Sequence, residues 1–384
     1  MRKSWLVLLL VCCIAFNAFA EDNVYTATQD DESAIDVSDT ENIIVTNATI
    51  QKTGGNASSA DAASFRGINS AVRVYDQAVL TISDSVIEST AQNATGVFAY
   101  DQGVINISDC EIDVTGGGAG GVQVAGGGTL YGWNLNVTSA SKAAIRSDRG
   151  GGVMVLDGGI YTSTGTNGCP AIYSTADITV RNAECASEQS RAVIIEGMNS
   201  VTLENVVIEG NDLSTKSGSV HANILLYQSA SGDAKDGTSV FTMTDGVITS
   251  HSGAMFYCTN TSCVINLSDV AMNLSDDEIL LIVSSGRWGK EGRNGGICTL
   301  NADHQILNGD ILVDSISSLD VHLTDSTFTG NINSNQADGT VHLIMDADSS
   351  WTLTKDSYLT SFEGNLDNIF SNGYHLYINE EQML

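Results

Sequence analysis

Asp76 and Asp101 lie 25 residues apart, each beside a tyrosine (Tyr75, Tyr100) and each eight residues ahead of a second acid, Asp84 and Asp109. If the chain winds once per 25 residues, successive turns bring the two carboxylates to about 5 Å. That is the spacing of a retaining glycosidase pair, and it is also within reach of one bound Ca2+. Asp148 and Glu196 follow at nearly the same offset, nine residues ahead of Asp157 and Asn205. Arg146 and Arg149 set two guanidinium groups beside Asp148. Gly126 interrupts the column, so only Asp76 and Asp101 are expected as immediate neighbours and as the metal candidates. The competing reading makes these acids ordinary water-facing turn residues, a role that suits Asp.

A second candidate is Arg287-Trp288-Gly289-Lys290-Glu291-Gly292-Arg293, where cations meet an aromatic face. A tryptophan among glycines can stack a sugar ring, and long loops on a rigid scaffold are where binding residues gather. Tyr227, Arg287, Trp288, Lys290 and Arg293 are therefore the ligand-binding candidates. In the alternative reading Trp288 folds back as a lid over one turn of the coil.

The elements that must position these residues are written in a repeated phrase: two alternating apolar residues, a spacer, Asp or Asn, then an apolar residue three places later. It reads Leu80-Thr-Ile82-Ser-Asp84-Ser-Val-Ile87 and returns at Ile105–Ile112, Val153–Ile160, Val201–Ile208, Phe241–Ile248 and Val321–Phe328. A repeat of this length marks a stacked solenoid. Its internal period of two marks strands, and leucine-rich repeats are excluded by the missing leucines and helical segments. We expect an all-β, right-handed parallel β-helix with three strands per rung and about 12–13 rungs. The Asx anchors (Asn47, Asp84, Asp109, Asn134, Asp157, Asn182, Asn205, Asp245, Asp269, Asp325, Asp346) should turn the corner between second and third strands in a left-handed conformation. That conformation costs most residues about 1–2 kcal/mol and Asn, Asp or Gly least. The rung at Cys298–Ala302 lacks the Asx. The turn after the first strand lengthens in three consecutive rungs, at 228–239, 258–263 and 284–296, which should set three loops side by side as a ridge.

Bulk properties narrow the rest. Residues 1–20 read as a signal peptide, with Arg2 and Lys3 ahead of an apolar stretch and Ala18-Phe19-Ala20 at the cleavage site. Residues 21–41 read as an acidic lead-in, 42–349 as the β-helix and 350–384 as a last rung and cap. A formal charge of −30 argues against nucleic acid and anionic lipid as partners. No later run is long and apolar enough for a membrane span. Of eight cysteines two lie in the leader; Cys258 and Cys263 bracket one short turn and are the expected disulfide. Cys185 and Cys298 fall on inward positions where a buried thiol fits as well. Gly116–Gly121 spells G-x-G-x-x-G, but no helix follows, so a dinucleotide site is excluded. The six histidines are scattered without ligand spacing.

The rung phrase resembles that of the pectin-lyase-like parallel β-helices. Ala144–Gly152, Pro170–Val180, Ala192–Gly197 and Trp351–Phe362 further resemble the secreted, adhesin-like β-helix proteins of Gram-positive gut bacteria. The resemblance implies an extracellular or non-covalently surface-associated protein, monomeric, binding polysaccharide or host-surface glycans. The alternatives are a structural surface protein without a discrete ligand, and a polysaccharide lyase or glycoside hydrolase acting along the first-strand face. The resemblance to enzymes would give Asp76, Asp101, Arg146, Asp148 and Arg149 catalytic roles, with Ca2+ as the cofactor and an arginine as the base.

Overall fold

A computed structural model describes residues 23–166, 168–336 and 339–384; the expected signal peptide lies outside them. Strands stack in parallel, rung upon rung, as a parallel β-helix. The first strands form an 11-stranded sheet running from Ile35–Val37 to Asp310–Val313. Second and third strands merge into a 19-stranded sheet, because in rungs such as Gly128–Ser139 and Thr238–Ser250 one strand runs through the corner. The second column passes through 12 consecutive parallel pairings, from Asn42–Thr46 to Ser361–Glu363, which makes 13 rungs.

Alternation inward builds the core. Leu80, Ile105, Leu130, Met154, Ile178 and Val201 are successive register partners and are buried. Burying each such side chain is worth about 1.5–3 kcal/mol. The coil begins earlier than the expected boundary at 42. Asn23–Ala27 already pairs with Ala48–Lys52, and Ile35–Val37 with Val72–Val74. The acidic lead-in thus supplies a lone third strand, Asn23–Ala27, and the first strand of the first full rung, Ile35–Val37. At the other end an antiparallel pairing of Tyr377 with Gln382 departs from the parallel rule and finishes the coil.

The corner works as its chemistry requires. Asn47, Asp84, Asp109, Asn134, Asn182, Asn205, Asp245, Asp269 and Asp325 all have φ between 42° and 58°. At the Asp157 corner the left-handed residues are instead Gly158 and Gly159, and in the rung without an Asx it is His304. Asp346 takes a different part, accepting the backbone N–H of Asp325 at 3.1 Å. The anchors also bond to one another: Asn182 Nδ2 donates to Asp157 Oδ1 at 2.8 Å and Asn205 Nδ2 to Asn182 Oδ1 at 2.9 Å. Asn182→Ala loses both the left-handed tolerance and two ladder bonds, whereas Asn182→Gly loses the bonds alone. We expect the alanine variant to be less stable than the glycine variant by about 1 kcal/mol in urea titrations; equal midpoints would contradict the corner's strain.

Candidate functional site

The first strands carry a row of outward-pointing side chains: Phe98, Gln123, Arg146, Tyr173, Ile194 and Leu225 are register partners in turn. Outward positions on a coil should be wet. Here Phe98, Gln123, Ile194 and Leu225 are buried, because two covers lie over the face.

The first cover is a short helix, Ala60–Arg66. Ser59 caps it by accepting the N–H of Ala62, Gly67 ends it with φ 68°, and Asp61 and Arg66 match the charges of its ends. Gln123 Nε2 donates to Ser64 O at 2.8 Å, and Lys142 Nζ to Ser64 Oγ at 2.6 Å. Burial lowers the Lys142 ammonium to about 8. Phe65 lies 4.2 Å from the Arg149 guanidinium.

The second cover is made by the loops at 211–221 and 284–296. Trp288 packs on Tyr227 with ring centroids 4.5 Å apart, in a cluster with Ile194, Leu225 and Tyr257. Trp288 therefore folds back as a lid and is half-buried. Arg287 stands 4.3 Å over its ring. Asn294 fixes the loop, its Nδ2 donating to Gly286 O at 2.7 Å and Trp288 O at 2.9 Å. Arg287, Lys290 and Arg293 are exposed. A cleft of about 140 Å3 remains beneath, lined among others by Tyr173, Arg191, Lys216, Tyr227, Arg287 and Trp288.

The expected ridge is continuous. Asn260, from the turn between Cys258 and Cys263, donates Nδ2 to Gln228 O at 2.7 Å on one side. On the other side its N–H reaches Asn294 O at 3.1 Å. The 228–239 loop also leans back along the coil, where Asp233 meets Arg149 at 2.6 Å.

The acidic candidates separate. Asp76-Gln77 and Asp101-Gln102 are consecutive left-handed pairs (φ 53° and 65°; 45° and 61°), as in a type I′ turn, and both acids are exposed. The same positions in the next rung are Gly126-Gly127. These acids serve as corners. The rung before carries Asp39-Thr40 as the same left-handed pair, yet among the described residues no three carboxylates here bring an oxygen each within 4.8 Å of one another. Asp148 falls one position earlier, level with Ala125 and Tyr100 rather than with Asp101. It is buried, held by Arg146 at 2.8 Å and by Gln123 Nε2 at 3.2 Å. Arg146 stacks on Tyr173 at 4.5 Å.

Glu196 sits at the centre of a network that its offset alone did not disclose. Tyr173 OH donates to it at 2.6 Å, Tyr227 OH at 2.8 Å, and Ser229 Oγ also donates. Burial pushes both tyrosine hydroxyls up, so they remain donors. Arg191 and Asp212 pair at 2.9 Å, with side chains 9% and 1% exposed, and root the 211–221 loop. One signal for all of this was present. Runs such as Val193-Ile194-Ile195 and Ile224-Leu225-Leu226 do not alternate, which marks strands buried on both faces.

The cysteine expectation requires correction. Cys258 and Cys263 are free thiols in the structure, and Cys298 lies with them. All three point inward at one corner, so none is singled out as the partner of another. Among the described residues no helix is long and apolar enough to cross a membrane. Comparison with family models, with curated proteins and with solved structures gives no match to this chain.

Proposed function

We propose that this protein is an exported, non-catalytic adhesion module that binds anionic glycan termini on the 284–296 ridge. The observation that carries the reading is Arg287 stacked on Trp288, with Lys290 and Arg293 exposed on the same loop, in a chain of net charge −30. The ring holds the Arg287 guanidinium in place, and the guanidinium offers a bidentate partner for carboxylate or sulfate. The surrounding acidity repels long polyanions, but fields are screened beyond about 8 Å at physiological salt. A short anionic terminus is therefore the best fit. The carboxylates a hydrolase or lyase would need free on the first-strand face, Asp148 and Glu196, have internal partners instead. Kinship with the adhesin-like β-helix proteins belongs to the same proposal.

The test is a glycan array of sialylated, sulfated, uronate and neutral glycans, probed with the wild type and with a combined Arg287→Ala, Lys290→Ala, Arg293→Ala variant. We expect binding to anionic members only, at least ten-fold weaker in the variant, with unchanged thermal unfolding. Equal binding by the variant, or a preference for neutral glycans, would overturn the assignment.

A further inference from the structure

Cys258 lies near the end of a first strand, Ala254–Thr259, and Cys263 near the start of the second strand of the same rung, Ser262–Ser268. Cys298 is the register partner of Cys263 one rung on. The three side chains are buried in the core, and their sulfur atoms all lie within 4.8 Å of one another. Among the described residues this is the one group of three or more His, Cys, Asp or Glu side chains whose ligand atoms converge so closely. The remaining described thiols, Cys110, Cys169 and Cys185, take no part in it.

We propose that Cys258, Cys263 and Cys298 form a three-thiolate site for a soft monovalent cation, Cu(I). A metal–sulfur bond of about 2.3 Å places three sulfurs around a trigonal ion at about 4 Å from one another, which this corner allows. Thiolate ligands select Cu(I) or zinc over the oxygen-seeking cations. Zinc almost always takes a fourth ligand, and the walls here are tight. A Cβ added at Gly296 would lie 2.8 Å from Val283 Cγ1 and 3.0 Å from Cys258 Sγ. The carbonyl oxygen of Thr261 lies 3.8 Å from Cys258 Sγ.

Cu(I) replaces the thiol protons, which leave to solvent, and three Cu–S bonds form with no change in oxidation state. Since the corner is closed, the ion enters as the coil folds.

The full chain, refolded without oxygen in the presence of Cu(I) and then challenged with a Cu(I) chelator, tests this. Wild type should keep one equivalent more than Cys298→Ser, show a thiolate-to-metal absorption band that the variant lacks, and unfold at higher temperature than its metal-free form. Cys110→Ser should behave as wild type. Cys298→Val, apolar and of similar size, is run in parallel so that misfolding of the serine variant does not decide the result. Equal copper retention by wild type and Cys298→Val would overturn the proposal. So would zinc displacing Cu(I), or a Cys258–Cys263 disulfide that mass spectrometry finds in the protein refolded with Cu(I).

Discussion

Trp351→Ala is expected to release the C-terminal end of the coil, at a cost of about 3–5 kcal/mol. Trp351 is fully buried and is the register partner of Phe328 on one side and Ile369 on the other. Its ring stacks on Phe328 at 5.6 Å, and its Nε1 donates to Gly330 O at 3.1 Å. Alanine removes the stack and leaves the carbonyl without that donor. In a solenoid each rung is held by its neighbours, so the loss should stay local. Chemical unfolding should gain an early transition, and amides of 340–378 should exchange faster while those of 72–208 keep their protection. The freed end would present unpaired strand edges, so self-association should rise with concentration. A single, uniformly shifted transition would show that the coil unfolds as one body instead.

The second large effect is expected at Arg191. Its partner Asp212 is 1% exposed and also accepts the N–H of Ser214 at 3.0 Å. Arg191→Met leaves that carboxylate buried and uncompensated, and breaking such a pair costs about 3–5 kcal/mol. Removing both charges, as Arg191→Met with Asp212→Asn, should recover part of the loss. The interaction energy from the double-mutant cycle is then well above the 0.5 kcal/mol expected of independent sites. Because the pair roots the 211–221 loop beneath Trp288, the single variant should also expose Tyr227 to solvent, seen as faster exchange across 211–227. Additive energies, or a loop that stays protected, would contradict the role given to this pair.

Much of the scaffold was legible because its rule is local. A left-handed corner selects Asn, Asp or Gly, so the Asx phrase placed the rungs even where His304 or Gly158 took the left-handed position. The ridge was legible by counting, since loops that lengthen in consecutive rungs must lie side by side. The covers were not. The helix at Ala60–Arg66 is too short to show an apolar period, and only its ends, Ser59 and Gly67, announce it. By sequence Asp148 falls in the turn column, because its offset of nine nearly matches the eight of Asp76 and Asp101. Register moved it inward by one place, and with that from a solvent-facing acid to a buried partner of Arg146. A one-residue change in alignment decides which face a side chain occupies, and an offset from an anchor across a variable turn does not resolve it.

The most direct test of the account is oxidative footprinting with and without a bound anionic glycan, since it asks which face the ligand covers. Protection of Trp288, with Tyr75 and Tyr100 labelled equally in both states, is the predicted result. Protection of Tyr75 and Tyr100 with Trp288 unchanged would place the ligand on the Asp76 and Asp101 edge and contradict the ridge as the binding surface.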